Sequence, residues 1–434
     1  MTANWHSEQY DGIHVHILPT EKYKMVTALA TWQCTLAEDT VTAYSVLPHV
    51  LLRGTKRHPS PEGLMRAFDD LYGASIGGRA VKQGDAQTIE FSLQCANESH
   101  LPEAKGLFAE AFSLFAEVLF QPHLLEGAFD PKAVQTEKML HKQRIENVVN
   151  DKIAYAADRC TQLMCENLPY GIPRNGYAQR VDEITPASLY EDYRHLVQTH
   201  DLHLYIVGNV DAHVLSTSVM QVLKDFRSET FAKSVADMRT VPFNRVNRAE
   251  PKVIVERLDV NQGKLNMGLS TNASYASEDY PALLVYNGVL GGFPHSKLFT
   301  NVREKASLAY YASSRLEGLK GIIFIQSGIQ IENFDQAQGI IVEQLEALRS
   351  GMISDDELQF TRDGLINQYL LSDDQPLTGA MLQMYGRLSG RSRTVPELLD
   401  SIASVTKEDV VRVAQGVKLD TVYFLRDQEG ETHA

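Results

Sequence analysis

An order of elements that occurs twice limits what this chain of 434 residues can fold into more than any other feature it has. In the first half, mixed apolar and β-branched stretches over Ile13 to Leu18 and Met25 to Gln33 predict strands. A helix follows near Ala43 and a second lies around Glu62 to Leu71. A Gly-rich turn, Gly73 to Gly78, then leads to a strand Gln87 to Cys95, where Ile89, Phe91 and Leu93 alternate. Leu107, Ala111, Leu114, Phe115 and Val118 recur at helical spacing in a helix predicted over Leu101 to Leu119. Beyond Gln121-Pro122 come a helix through Arg144, more helix to about Cys165, and a turn from Pro169 to Gly176. ITPASLYEDYRHL then leads to a strand Leu202 to Val207.

The second half offers the same parts. Strands Val253 to Arg257 and Gly263 to Ser270 precede a helix Asp279 to Leu290 and a helix SKLFTNVREKA. Strands Leu308 to Ser314 and Ile322 to Ile329 are followed by helices Phe334 to Arg349 and Ser354 to Leu371. VTKEDVVRVA then precedes a strand Thr421 to Leu425. ITPASLYEDY and VTKEDVVRVA both open with a Thr of the kind helix N-termini prefer, and the second follows it with an acidic first turn. The repeat predicts an α+β fold of two similar domains from an internal duplication, each a mostly antiparallel sheet packed with helices. The expected boundaries are a domain over 1–227, a polar linker over 228–251 and a second domain over 252–434.

A net charge of −14 argues against a nucleic-acid or anionic-membrane surface, because both require clustered Lys and Arg. The opening MTANWHSEQYDG lacks the charged-then-apolar layout of a signal peptide, and no apolar run reaches about 18 residues, so a cytoplasmic protein is expected. Cys34, Cys95, Cys160 and Cys165 form no C-x-x-C pair and read as reduced and mostly buried.

The stretch AYSVLPHVLLRGTKRHPSPEGL, Ala43 to Leu64, carries the first chemical signal. Its tail resembles the segment after the metal motif in pitrilysin/insulinase-type zinc peptidases, in the branch that contains mitochondrial processing peptidase. There an H-x-x-E-H motif precedes a Gly-Thr pair. Counting back from Gly54-Thr55 places that motif on Ser45, Val46, Leu47, Pro48 and His49, and only His49 matches. Catalytic zinc of this type needs two imidazoles one helical turn apart and a carboxylate to take a proton from bound water. Ser45 is a poor ligand and Pro48 cannot be a base; a mid-helix proline also predicts a kink. The family's third ligand lies in a helix that corresponds to EKMLHKQRI, Glu137 to Ile145, where Gln143 and Arg144 occupy the carboxylate positions. The resemblance therefore implies an inactive family member with no metal and no catalytic residue of its own.

Residues Leu290 to Tyr311, LGGFPHSKLFTNVREKASLAYY, resemble the family's L-G-G-x-x-x-S-x-L-F-x-x-L-R-E-K-x-G-L-A-Y, departing at Phe293-Pro294-His295 and at Ala306-Ser307. PYGIPRNG, ITPASLYEDYRHL and LYIVGNVD are further family-like runs, so the resemblance covers nearly the whole chain. It implies that Arg303 and Tyr310 hydrogen-bond a bound peptide near the scissile bond, from the half opposite the zinc helix. A guanidinium and a phenol can both donate to a carbonyl that becomes an oxyanion.

His14-x-His16 puts two imidazoles on one face of a strand, a metal-capable pair for which the sequence shows no third ligand. Gly291-Gly292 lacks the Lys-Ser/Thr continuation of a phosphate loop and reads as a turn. No G-x-S-x-G or Cys/His constellation is present. The expected function is that of a non-catalytic subunit in a heterodimeric zinc metalloendopeptidase. Its partner would be a paralogous subunit with an intact zinc motif, which carries the zinc, and the two would enclose a peptide substrate. A peptide- or protein-binding scaffold with no role in hydrolysis is the alternative. Within the family the chain is similar to inactive bacterial proteins found beside an active paralogue, some connected with elongation factor P modification.

Overall fold

The computed structural model describes residues 5–101, 103, 105–226, 238–243 and 250–428. In the first half, β1 (His6–Tyr10), β2 (Ile13–Pro19) and β3 (Met25–Thr35) lead into α1 (Val41–Leu51) and α2 (Pro61–Asp69). The hairpin β4 (Ser75–Gln83) and β5 (Ala86–Ala96) is followed by α3 (Leu107–Phe120), the short pair β6 (Leu124–Leu125) and β7 (Ala128–Phe129), and α4 (Pro131–Glu146). Then come α5 (Lys152–Met164), α6 (Ala178–Glu183), α7 (Pro186–Thr199), β8 (Leu202–Gly208) and α8 (Ala212–Phe226). The second half holds β9 (Lys252–Arg257), β10 (Gly263–Ser270), α9 (Tyr280–Asn287), β11 (Ala309–Glu317), β12 (Ile322–Ile329) and α10 (Phe334–Arg349). It continues with α11 (Asp355–Ser372), α12 (Thr378–Ser389), α13 (Val395–Ala403), α14 (Lys407–Gly416) and β13 (Lys418–Arg426).

The duplication is written in the hydrogen bonding of the two sheets. One has the order β1-β2-β8-β3-β5-β4 and the other β11-β12-β10-β13-β9. In the first, β2 and β8 are parallel while β8·β3, β3·β5 and β5·β4 are antiparallel. In the second, β9 and β13 are parallel while β13·β10, β10·β12 and β12·β11 are antiparallel. Strand for strand, β9, β13, β10, β12 and β11 repeat β2, β8, β3, β5 and β4. Each sheet is mostly antiparallel, and β1 is an addition to the first.

The described residues fall into two compact units, one within Met1–Glu146, Ile172–Met238 and Gln375–Met381, the other within Asn147–Gly171, Arg239–Asp374 and Leu382–Ala434. In the first, Trp32 of β3 meets Phe91 and Phe120 edge-on in a core that also takes Leu47 of α1 and Phe115 of α3. In the second, α5 packs on β10 and β13 and buries Ala156, Cys160 and Met164. Sequence order had placed α5 with the first half. Its apolar stripe instead fits a bare spot on β10, where a Cβ at Gly268 would lie 2.4 Å from Met164 Sδ. Of the expected linker 228–251, residues 228–237 and 244–249 lie outside the described residues.

Two local expectations are corrected by backbone chemistry. Gly73 to Gly78 is only partly a turn: Tyr72 and Gly73 take positive φ, and Gly77 and Gly78 lie inside β4. Gly78 belongs there because a Cβ would come within 2.9 Å of the Phe91 ring on β5. The helix predicted from Leu101 begins at Leu107, because Gly106 stands left-handed at φ 80° and its N–H donates to Glu98 Oε2 at 2.6 Å. At α14 the expected start is in place, with Thr406 and Asp409 forming a reciprocal capping box. The four cysteines are buried and unbridged. Among the described residues no helix is long and apolar enough to cross a membrane.

Candidate functional site

The degenerate metal motif lies on α1, which runs from Val41 to Leu51 and continues through Pro48. Pro48 itself is buried, and no carboxylate occupies the position of the family's base. Ser45 is buried and fully engaged. Its single O–H is shared between the carbonyls of Val41 (2.8 Å) and Arg174 (3.2 Å), and its Oγ accepts from Gln87 Nε2 (3.1 Å). The loop after Ile172 closes on this place through its backbone. Asn175 O accepts from His141 Nε2 at 2.8 Å, and Tyr177 N–H donates to Thr42 Oγ1 at 3.1 Å. Gly176 permits the approach: it takes φ 72°, and a Cβ would sit 2.2 Å from Thr42 Oγ1.

Facing α1, one side of α4 presents Glu137, His141 and Arg144. The Glu137 side chain is only 5% exposed and lies between two guanidinium groups. Arg53, just past α1, donates to its Oε1 through Nε at 2.7 Å and Nη2 at 2.5 Å, and Arg144 Nη2 reaches Oε2 at 3.4 Å. Arg144 also directs Nη1 to His141 Nδ1 at 3.3 Å. With Nε2 donating to Asn175 and Nδ1 accepting from Arg144, His141 is a neutral imidazole with its tautomer set by its neighbours. Burial lowers its pKa to about 4 against the pull of the Asn175 carbonyl, with Arg144 and His49 adding to the fall. Burial, and then the charge of Arg144, likewise holds His49 below the ordinary histidine range.

These residues do not fit a catalytic zinc. A dication here would face two guanidinium groups; the carboxylate is committed to both, and both ring nitrogens of His141 have partners. The neighbouring Gly54-Thr55 pair survives for a structural reason. Thr55 Oγ1 donates to Glu117 Oε1 at 2.6 Å, and Arg57 binds Glu117 through its backbone N–H (3.0 Å) and Nε (2.6 Å). Burial pushes the Glu117 carboxyl up, but the bonds from Arg57 and Thr55 outweigh it and hold it below the usual range.

In the other unit, Arg303 and Tyr310 lie on adjoining elements. Residues Gly288–Gly292 and Phe299–Lys305 form π-helical turns in place of the α-helix expected, a wide geometry that recurs at functional sites. Arg303 is exposed, with its guanidinium 4.5 Å from the centre of the Phe299 ring. Ser307 takes φ 54°, and β11 starts two residues later. The register of β11 on β12 slips between Ala309 and Tyr311, so Tyr310 is the extra residue of a bulge, 60% exposed. β11 is also the last strand of its sheet.

Sequence reasoning identified Ser45, Pro48, His49 and Arg144 but missed Arg53, Glu137 and His141. The spacing of Glu137, His141 and Arg144 at i, i+4 and i+7 on one helix carried that signal.

Two duplicated α+β units, in one of which α1 and α4 are joined by ion pairs that leave no open set of metal ligands among these residues, define a metallopeptidase-like protein without a catalytic centre on this helix pair. The family described as peptidase M16, inactive domain, matches residues 183–365. The chain is 40% identical over 427 residues, 97% of its own length and 97% of the relative's, to the probable inactive metalloprotease YmfF of Bacillus subtilis (strain 168). It is also 25% identical, over 85% of this chain and 84% of the relative, to the uncharacterized zinc protease YmxG of the same strain. A crystal structure of a conserved protein from Enterococcus faecalis V583 matches with a TM-score of 0.91 and 30% identity, covering 99% of this chain and 100% of that one. The chain belongs to the peptidase M16 family, as an inactive homologue.

Proposed function

We propose that this chain is the non-catalytic subunit of a heterodimeric zinc metalloendopeptidase, pairing with a zinc-bearing paralogue and binding the peptide that the partner cleaves. One observation carries the proposal: the metal helix has been rebuilt into an ion-pair network, while Arg303 and Tyr310 are still held out to solvent by a π-helical turn and a bulge. Both can donate to a peptide carbonyl as it gains negative charge, and β11 stands at an edge of its sheet, the position to which an extended chain adds. Two of its relatives, one inactive and one called a zinc protease, occur in a single Bacillus strain, the gene content such a pair requires.

The test is co-expression with a zinc-bearing relative from the same host, then size exclusion and steady-state hydrolysis of an unstructured peptide. A stable pair buries about 1,200–2,000 Å² and should co-elute. Arg303→Lys and Tyr310→Phe should each leave association and zinc content unchanged. Each should lower kcat about 10²- to 10³-fold, the effect of removing one donor to a developing oxyanion. A rise in KM alone would assign the pair to ground-state peptide binding. Wild-type rates from both substituted complexes, or no association with any zinc-bearing relative, would overturn the proposal in favour of a scaffold.

A further inference from the structure

We infer that His14, Asp201 and His203 form a binding site for a divalent transition metal of the zinc class, separate from the lost peptidase centre and independent of the peptidase proposal. β2 and β8 run parallel with His14 opposite His203 and His16 opposite Tyr205. Because side chains alternate along a strand, His14, His16, His203 and Tyr205 share one face, while Ile13, Val15 and Ile17 point into the core. Asp201, one residue before β8, joins the same face two positions before His203.

The donors are already gathered. His14 Nε2 lies 3.0 Å from Asp201 Oδ2, and the rings of His14 and His203 stack at 4.2 Å with 9° between their planes. One ligand atom from each of the three groups lies within 4.8 Å of the others. Zinc bonds of about 2.0–2.1 Å hold ligand atoms no more than about 4.2 Å apart, so closure draws the three atoms together and tilts the two stacked imidazoles until both lone pairs meet the ion. Two imidazoles and a carboxylate suit zinc, cobalt or nickel and leave a position for water. The side chains of His14 and Asp201 are 19% and 17% exposed, enough for an ion to enter and little enough to remove most competing water.

A fourth residue supplies the outer contact that metal-binding histidines have. His16 Nε2 lies 3.2 Å from His203 Nδ1, and His16 Nδ1 is 2.9 Å from Ser7 Oγ, so the His203 ring is oriented from β1 through β2. Binding would replace the His14–Asp201 hydrogen bond with two metal bonds and tie β2 to β8 across most of the first unit's sequence. A second grouping, His6, Glu8 and His213, is more exposed, and its carboxylate is already held by Ser216 Oγ at 2.7 Å and His6 Nε2 at 2.9 Å. It serves as the control.

The experiment uses the full chain, stripped with a chelator and dialysed against zinc or cobalt chloride, with metal content, the visible spectrum of the cobalt form and thermal unfolding as readouts. One equivalent is expected in the wild type, with a higher Tm when loaded. Asp201→Asn, which keeps shape and a hydrogen bond to His14, should lose the metal and the Tm shift, as should His14→Gln if the first variant does not fold. His16→Ala should weaken affinity about 10- to 100-fold, and His213→Ala should change nothing. No binding by the folded wild type, full binding by Asp201→Asn or His14→Gln, or loss of the metal in His213→Ala would overturn the assignment.

Discussion

Glu137→Gln removes the one carboxylate between Arg53 and Arg144 while preserving its volume. The wild-type side chain is 5% exposed, whereas the two arginine side chains are 32% and 40% exposed. Removing one member of a fully buried pair costs about 3–5 kcal/mol, because the remaining charge stays buried. Here water reaches part of each guanidinium and recovers some of that, leaving a loss of about 2–3 kcal/mol. In a unit of roughly 200 residues this lowers Tm by about 4–12 °C. Thermal unfolding followed by circular dichroism measures it, with Arg53→Met and the double variant completing a cycle whose coupling should exceed about 1 kcal/mol. High salt should leave most of the coupling in place, since buried pairs are screened less than exposed ones. A Tm change under about 1 °C with coupling near zero would refute the claim that ion pairs took over the ordering role of a metal between α1 and α4.

Three further outcomes follow from the same neighbourhood. His141 has a folded pKa of about 4, below the ordinary 6.5, so the unfolded chain binds the extra proton first as pH falls. Stability should drop by about 3 kcal/mol between pH 6.5 and 4 and then level off, and the slope should shrink in His141→Gln; imidazole titration by NMR checks the pKa directly. Thr55→Val strips a donor from the buried Glu117 carboxylate and should cost about 1.5–3 kcal/mol in urea unfolding. Whatever zinc the purified chain carries should be unchanged by His49→Ala, as elemental analysis would show; loss of one equivalent would restore the metal-site interpretation of α1.

The fold was legible because duplication doubles every periodic signal. The runs Ile322–Ile329 and Phe334–Arg349 stand as strand and helix with the ends their patterns predict. Gly77 and Gly78 looked like a turn because glycine reports backbone freedom, whereas Gly78 makes room under Phe91 and Gly77 faces Ser92, contacts made by a neighbouring strand. The missing ligands could be counted in sequence, since each is a single residue type at a fixed offset. What replaced them could not. Arg53 and Glu137 are 84 residues apart, and His141 and Ser45 both donate to backbone carbonyls, which have no letter in a sequence. The sequence paired His14 with His16, whereas its partners in the cluster, Asp201 and His203, are brought there by strand pairing across most of the first unit.

The place of α5 in the second unit also governs how the chain can be made. Its buried stripe, Ala156, Cys160 and Met164, emerges from the ribosome well before β10 and long before β13, the last strand among the described residues. At about 5–20 residues per second, the roughly 260 residues between α5 and the end of β13 take about 13–52 s to synthesise. For that interval an apolar helix waits without its sheet, and neither half of the gene encodes a segment that can complete a unit alone. A nascent chain interrupted after its first half would present that helix to chaperones and proteases, so quality control would reject truncated products.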